Sequence, residues 1–283
     1  MVLRRNVSKG LRNMRFVCPK CKGKLNILEG RCTCGNGHSY DRARGGYYNL
    51  LLSSVGGVHG DNKEMVLARR AFLGAGYYEP LARWLSSLAL DFTPEGGCLL
   101  DAGAGDGYYT DQIERALFDR DGKSDVSAFD ISKDAVREIG KKNRRISLAV
   151  AGSYNMPISD SEFDTVINTF SPLALEETRR VLKIGGVFIM AIPGEMHLYD
   201  LKSVIYDTPY KNEVKDTALS GFELIRDDSL TYKFCLDSEE KIKNLFMMTP
   251  YAYRTRPEDK AKVEELDRLV CTADFRVFVY KKL

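Results

Sequence analysis

Leu99-Leu100-Asp101-Ala102-Gly103-Ala104-Gly105-Asp106-Gly107-Tyr108 decides the fold. The apolar run Cys98–Ala102 enters a turn of small residues, and residues 108–118 then carry a helical pattern. A strand, a tight glycine turn and a helix N-terminus together point backbone N–H groups and the positive end of a helix dipole at one spot. Outward from this stretch, strands are expected at Val126–Phe129, Ile146–Val150, Thr165–Thr169 and Val187–Ile192, with helices at 132–142 and 174–182 and a Gly185-Gly186 turn. Strands separated by helices predict a parallel sheet covered on both faces, an α/β Rossmann-like fold. Upstream, Asp61 or Asn62 is placed to cap a helix that Gly74 and Gly76 break. A second helix sets Tyr78, Leu81, Leu85 and Leu88 on one face. Downstream, Phe222–Ile225 and Leu230–Leu236 read as strands, 238–247 and 257–269 as helices, and 274–281 as a closing strand.

A turn of this kind holds either the diphosphate of a dinucleotide or the amino-acid tail of S-adenosylmethionine. A dinucleotide fingerprint wants Gly or Ala at the last position of G-x-G-x-x-G, and here that position is Tyr108. Asp101, before Gly103, Gly105 and Gly107, can face an ammonium. Asp130 ends the next strand, where an acceptor-only carboxylate suits both hydroxyls of a ribose. These residues favour S-adenosylmethionine, with Asp106 in the same turn. After the following strand, Ser153 or Asn155 is placed to bond the adenine edge, and Tyr154 or Met156 to cover its face.

Four of the seven cysteines lie between residues 18 and 34. Clustered cysteines in a chain without a secretory signal read as metal ligands before disulfides. Cys18-x2-Cys21 and Cys34-x3-His38 form two close pairs on glycine-containing turns, the donor set of a tetrahedral zinc ion, whose binding would stabilise a segment with few large apolar residues. Cys34 is preferred as third ligand for its spacing to His38, with Cys32 as the alternative. Cys98, Cys235 and Cys271, among apolar neighbours, are expected in the core. Residues 1–46 hold eleven Lys or Arg against two acids, +9, which leaves −6 for the remainder of a chain whose total is +3. A basic head on an acidic body points to a polyanionic partner. The expected organisation is a basic tail at 1–13, a zinc-binding module at 14–52, a linker at 53–62 and the cofactor-binding domain at 63–283.

The 283 residues suffice for one α/β domain and a small accessory module. No apolar run approaches the ~20 residues that span a bilayer, and no apolar stretch follows the basic N-terminus. Neither membrane nor export is expected, and the cytoplasm is the default location.

With both motifs in hand, the chain resembles the 23S ribosomal RNA (guanine-N1-)methyltransferases. The resemblance runs over nearly everything after residue 14. It rests on Cys18-Pro-x-Cys21, His38-Ser-Tyr-Asp41, Gly46-Tyr-Tyr-Asn-Leu-Leu51, Ala68-Arg-Arg-Ala-Phe-Leu73, Gly76-Tyr-Tyr78, the glycine turn, Pro193-Gly-Glu-Met-His-Leu198 and Met248-Thr-Pro-Tyr-Ala-Tyr-Arg254. It implies a class I S-adenosylmethionine-dependent methyltransferase sheet, and methyl transfer to N1 of one guanine in a hairpin of 23S ribosomal RNA. It implies zinc on Cys18, Cys21, Cys34 and His38, and cofactor contacts at Tyr78, Gly105, Asp106 and His197. It allows a homodimer without demanding one. Cys32 and the thirteen-residue basic extension depart from the pattern.

Guanine N1 is protonated at neutral pH, so its proton must leave as the methyl arrives, and a paired guanine must first be splayed out. His197 has a suitable intrinsic pKa for a base, Asp106 and Glu195 less so. Asn168, Thr169, Phe170, Ser171 and Pro172 follow the fourth strand, and Phe170 can stack on a base. Tyr251, Tyr253 and Arg254 are candidates for another wall. Arg69 and Arg70 are placed to bind phosphate or to pair with acids. The competing readings are a small-molecule methyltransferase, a zinc-dependent RNA-binding protein with an inactive cofactor fold and, least favoured, a nicotinamide dehydrogenase.

Overall fold

A computed structural model describes residues 14–28, 30–52, 60–214 and 217–283. The basic tail at 1–13 and residues 53–59 of the expected linker lie outside the described residues.

The first strands, β1 (Asn26–Leu28), β2 (Arg31–Thr33) and β3 (Ser39–Asp41), form a small antiparallel sheet beside the cysteines. A two-residue strand, β4 (Tyr48–Asn49), ends this region. Helix α1 (Lys63–Gly74) starts where Asn62 accepts the Met65 N–H at 3.0 Å, and α2 (Glu79–Phe92) follows after Gly76. The alternating body is β5 (Cys98–Ala102), α3 (Tyr108–Asp121), β6 (Asp125–Asp130), α4 (Lys133–Lys142), β7 (Ser147–Val150), β8 (Phe163–Thr169), α5 (Leu175–Val181) and β9 (Leu182–Pro193). A short helix absent from the sequence reading, α6 (Tyr199–Ile205), precedes β10 (Phe222–Leu236), α7 (Glu239–Met247), α8 (Tyr251–Arg254), α9 (Pro257–Glu264) and β11 (Leu269–Lys282).

One eight-stranded sheet runs β10-β11-β9-β8-β5-β6-β7-β4. Strands β4 to β9 in this sheet are parallel, and β11 runs antiparallel to both β9 and β10. The chain winds outward from β5 through β6 to β7, then restarts at β8 on the other side. A crevice opens where the winding direction reverses, at the carboxyl ends of β5 and β8, and there an α/β sheet binds its ligand.

Period-2 alternation divides the core between the faces. Leu99, Ala128, Ile167, Ile189 and Val277 join α1 to α4 and α7 in one cluster. Leu100, Phe129, Val166, Phe188 and Phe278 face the other way, where α5 supplies Val181 and the cysteine-bearing segment supplies Phe16, Leu25, Cys32 and Leu50. That segment is therefore built onto the sheet. β4 pairs in parallel with β7, Phe16 bridges to Ile158, and Arg15 forms ion pairs with Asp125 and Glu162.

Four expectations need correction. The helix expected at 257–269 ends at Glu264, and the closing strand begins at Leu269. Phe222–Leu236 is one strand with a bulge between Leu224 and Arg226, because its antiparallel ladder to β11 continues past the break in the apolar pattern. Residues 60–62 are packed: Gly60 sits against Ile131 and Ser132, and Asp61 pairs with Arg69. Cys98 and Cys271 are buried but Cys235 is exposed, as an outward position of the edge strand β10.

Candidate functional site

A cavity of about 750 Å³ occupies the crevice, within the ~300–1,000 Å³ range of small-molecule sites. Its wall combines α1, the glycine turn after β5, the ends of β6, β8 and β9, and residues 248–251. Gly103 has φ of +87°, and a Cβ there would overlap the Ser171 side chain, so glycine is needed for the turn to close beneath the cavity.

The polar groups in this wall are incompletely paired. Asp101 accepts the Thr110 hydroxyl at 2.6 Å through Oδ2, while its Oδ1 has no partner among the described residues. The same holds for Asp106 Oδ2, Tyr109 Oη, Thr169 Oγ1 and, just behind the wall, Asn168 Oδ1. Each such atom costs about 1–3 kcal/mol unless something occupies it, so their clustering here marks a ligand site. Asp130 accepts the Gly105 N–H at 2.9 Å and the Ser132 N–H at 2.7 Å, keeping lone pairs for a ligand. Burial pushes the Asp101 carboxyl up to about 7 and also raises Asp106 and Asp130. Among the described lining residues, Asp61, Asp101, Asp106 and Asp130 face one guanidinium, Arg69, which already pairs with Asp61 and donates to the Met248 carbonyl at 3.3 Å. This charge balance repels a diphosphate. It suits a sulfonium with an ammonium tail, so the residues present fit S-adenosylmethionine.

His197 does not look like a base. Its Nδ1 accepts the Asp274 backbone N–H at 3.3 Å, and its Nε2 lies 3.2 Å from the Tyr78 hydroxyl. Burial lowers its pKa to about 3, so the ring is neutral. Glu195 is exposed beside Lys211 and stands outside the cavity wall. Phe170 has a left-handed backbone (φ +56°), is 39% exposed at the cavity, and stacks on His197 at 6.2 Å. Tyr251 lines the cavity; Tyr253 is exposed and its hydroxyl accepts from Asn62. Arg70, like Arg69, is held by an acid, here Glu138.

The cavity thus gathers Tyr78, Asp101, Gly103, Gly105, Asp106, Asp130, Phe170 and His197. It does not gather Gly107 or the 153–156 turn. Gly107 caps α3 with φ of +77°, against Ile139. Asn155 accepts from Lys22 Nζ at 2.7 Å, Tyr154 is 74% exposed, Met156 is buried in the second core, and Ser153 starts a single 3-10 turn between them. Lys22 of the cysteine segment and Glu177 of α5, which accepts the Met156 N–H at 2.6 Å, hold this turn. The sequence reading missed Ile131, Met65, Tyr109 and Asp274. Ile131 directly follows Asp130 and was within reach, whereas nothing local singles out Asp274.

A second site lies in the small sheet. One ligand atom from each of Cys18, Cys21, Cys34 and His38 lies within 4.8 Å of the others. Cys18 Sγ is 3.4 Å and Cys34 Sγ 3.3 Å from His38 Nδ1, and Cys21 and Cys34 are 3.6 Å apart. Such separations are edges of a tetrahedron around an ion with bonds of ~2.0–2.3 Å, so the four residues fit zinc. Burial disfavours the Cys18 thiolate, yet the Tyr40 hydroxyl at 3.2 Å and nearby backbone N–H groups lower its pKa to about 6. Cys32 stands outside the group; it is fully buried and burial pushes it up to about 12.

A family model described as "RlmA, N-terminal" matches residues 16–52, and one described as "Methyltransferase domain" matches residues 99–186. The chain is 29% identical to a 23S rRNA (guanine(748)-N(1))-methyltransferase of Streptomyces fradiae, over 92% of this chain and 91% of that one. It is 29% identical to a Bacillus subtilis protein and 30% identical to a Micromonospora griseorubida protein, both named provisionally as 23S rRNA (guanine-N(1)-)-methyltransferases. Each match spans 94% of this chain and 97% of the relative. At this identity over nearly the full length of both partners, the chain belongs to the 23S rRNA (guanine-N1-)-methyltransferase family.

Proposed function

We propose that this protein transfers the methyl group of S-adenosylmethionine to N1 of one guanine in a hairpin of 23S ribosomal RNA. The observation that carries the cofactor half is the excess of carboxylates in the cavity, where the one guanidinium among the described lining residues is already paired. When bound, the sulfonium supplies an electrophilic methyl. Asp101 faces the ammonium, Asp130 the ribose and Tyr78 the amino-acid tail. Phe170, exposed at the cavity, offers its ring to the splayed-out guanine, because N1 lies on the Watson–Crick edge and is reached only in an unpaired base. Lys20, Lys22, Lys24 and Arg31 are exposed on the zinc-binding module, a charge pattern suited to phosphates. Zinc on Cys18, Cys21, Cys34 and His38 holds that module in shape. No helix among the described residues is long and apolar enough to cross a membrane, and a ribosomal RNA substrate supports a cytoplasmic location.

The test is methylation of a 23S rRNA hairpin transcript with labelled donor, followed by reverse transcription. N1-methylguanine blocks Watson–Crick pairing, so a single stop is expected. Methylation of small molecules with no such stop would favour the small-molecule reading. Tight RNA binding without donor binding would favour an inactive RNA-binding protein.

A further inference from the structure

The turn between β9 and α6 is tied to the distant strand β11 at two residues: the Leu198 N–H donates to the Thr272 carbonyl at 2.9 Å, and the remaining bonds gather on Asp274. Asp274 accepts the Met196 N–H at Oδ2 (2.9 Å) and the Thr231 hydroxyl at Oδ1 (2.7 Å). Its carbonyl accepts the Gly194 N–H at 2.7 Å, and its own N–H donates to His197 Nδ1 at 3.3 Å. A Cβ at position 194 would overlap the Asp274 carboxylate, so glycine lets the turn close on this residue.

The bond to His197 sets a direction. A ring nitrogen that accepts carries a lone pair, and a neutral imidazole has one N–H, so the His197 proton is on Nε2. That N–H points at Tyr78, whose hydroxyl oxygen lies 3.2 Å away and must accept. The Tyr78 O–H cannot also point back at the ring. Tyr78 is 2% exposed and lines the cavity, and its hydroxyl has no other partner among the described residues. Its proton is therefore left for an acceptor inside the cavity. A bound S-adenosylmethionine brings one anionic group, a carboxylate. The only guanidinium in the described wall is engaged by Asp61, so neutral donors must receive that carboxylate.

We propose that Asp274 is a positioning residue. Its backbone N–H fixes the His197 tautomer and its carboxylate holds the turn that carries the ring, and together these commit the Tyr78 hydroxyl to donate to the carboxylate of the methyl donor. His197 acts through Tyr78 and moves no proton in the reaction. This inference rests on the reading that the cavity holds S-adenosylmethionine.

The test is calorimetric titration of the full-length, zinc-loaded protein with S-adenosylhomocysteine and with 5′-methylthioadenosine, which lacks the amino-acid tail. Tyr78→Phe should weaken S-adenosylhomocysteine about 10- to 100-fold, the range for one hydrogen bond to a charged group, and leave 5′-methylthioadenosine unchanged. His197→Ala should show the same selective loss, and adding it to Tyr78→Phe should cost nothing more. His197→Gln, whose amide N–H reaches the Nε2 position, should recover most of the affinity. Asp274→Ala should lose the tailed ligand selectively, while Asp274→Asn, which keeps an acceptor for Met196, should lose less. Parallel loss of both ligands, additive effects of the two substitutions, or Gln no better than Ala would overturn the proposal. Circular dichroism and zinc content identify a misfolded variant, and the Phe and Gln variants then decide. A wild-type protein that binds neither ligand would instead overturn the cofactor reading beneath it.

Discussion

At the residue scale the cavity is organised by acids held out of water. Asp101 is 2% exposed, and its folded pKa of about 7 lies above its unfolded value, so its contribution to stability is full in acid and is lost as pH rises toward neutrality. The ligand-free protein should therefore lose thermal stability as pH rises from about 4, the unfolded value, to about 7, the folded one. Saturating S-adenosylhomocysteine should restore it, because an ammonium beside the carboxylate favours the charged form. Asp101→Asn should flatten the ligand-free profile and weaken S-adenosylhomocysteine about 10- to 100-fold. A melting temperature in ligand-free wild type that does not change with pH would refute this account. His197→Ala should lower turnover mainly through a higher KM for the donor. The neutral, doubly engaged ring predicts no inflection near pH 6.5 in kcat, and a wild-type inflection there that vanishes in the variant would restore it as a base. The acids and glycines of this site were legible because they are contiguous or end a strand. The polarity of the His197–Tyr78 pair was not, because it is set by a backbone N–H from β11.

At the element scale the loop after α6 is held by a fully buried lysine. Lys202 Nζ donates to the Tyr210 carbonyl at 3.1 Å and to Asn212 Oδ1 at 2.6 Å, and lies 4.3 Å from the Tyr210 ring centre. Asn212 in turn donates to the carbonyls of Gly194 and His197. Lys202→Met keeps the apolar stem but loses both hydrogen bonds, and should cost about 1–3 kcal/mol in denaturant unfolding while raising the donor's KM. Unchanged donor affinity would show that the loop is only packing. Periodicity and turn chemistry located the strands and helices of the alternating body to within a few residues. They failed for α6, seven residues long, for β4, only two, and for the bulged β10. Short elements carry less than two periods of signal, and their hydrogen bonds come from partners far away in sequence.

At the scale of the whole molecule, the zinc-binding module is part of the second face of the core. Phe16 is 1% exposed and Cys32 fully buried, both packed with residues of the central sheet. Removing the metal should therefore destabilise the cofactor domain as well. We expect chelation or Cys18→Ser to lower the melting temperature of the single transition, and to weaken hydrogen-exchange protection at Leu50, whose N–H donates to the Val150 carbonyl. Phe16→Ala should cost about 3–5 kcal/mol with zinc still bound. Two independent transitions, with the cofactor domain unaffected by chelation, would show that the module is a separate body. RNA affinity should fall steeply with salt in wild type and less steeply after charge removal at Lys20 and Lys24.

From the sequence alone came the alternating α/β order, the glycine turn with its flanking acids, and the Cys18–Cys21 and Cys34–His38 pairs. Each is written in neighbouring residues whose spacing carries the chemistry. Tertiary structure alone decided that Cys32 stays out of the zinc group, that Asn155 accepts from Lys22, and that Arg69 is neutralised by Asp61. It also made His197 a fixed donor to Tyr78. These outcomes depend on groups brought together across as many as 133 residues, where burial and hydrogen-bond direction, rather than local propensity, choose the partner.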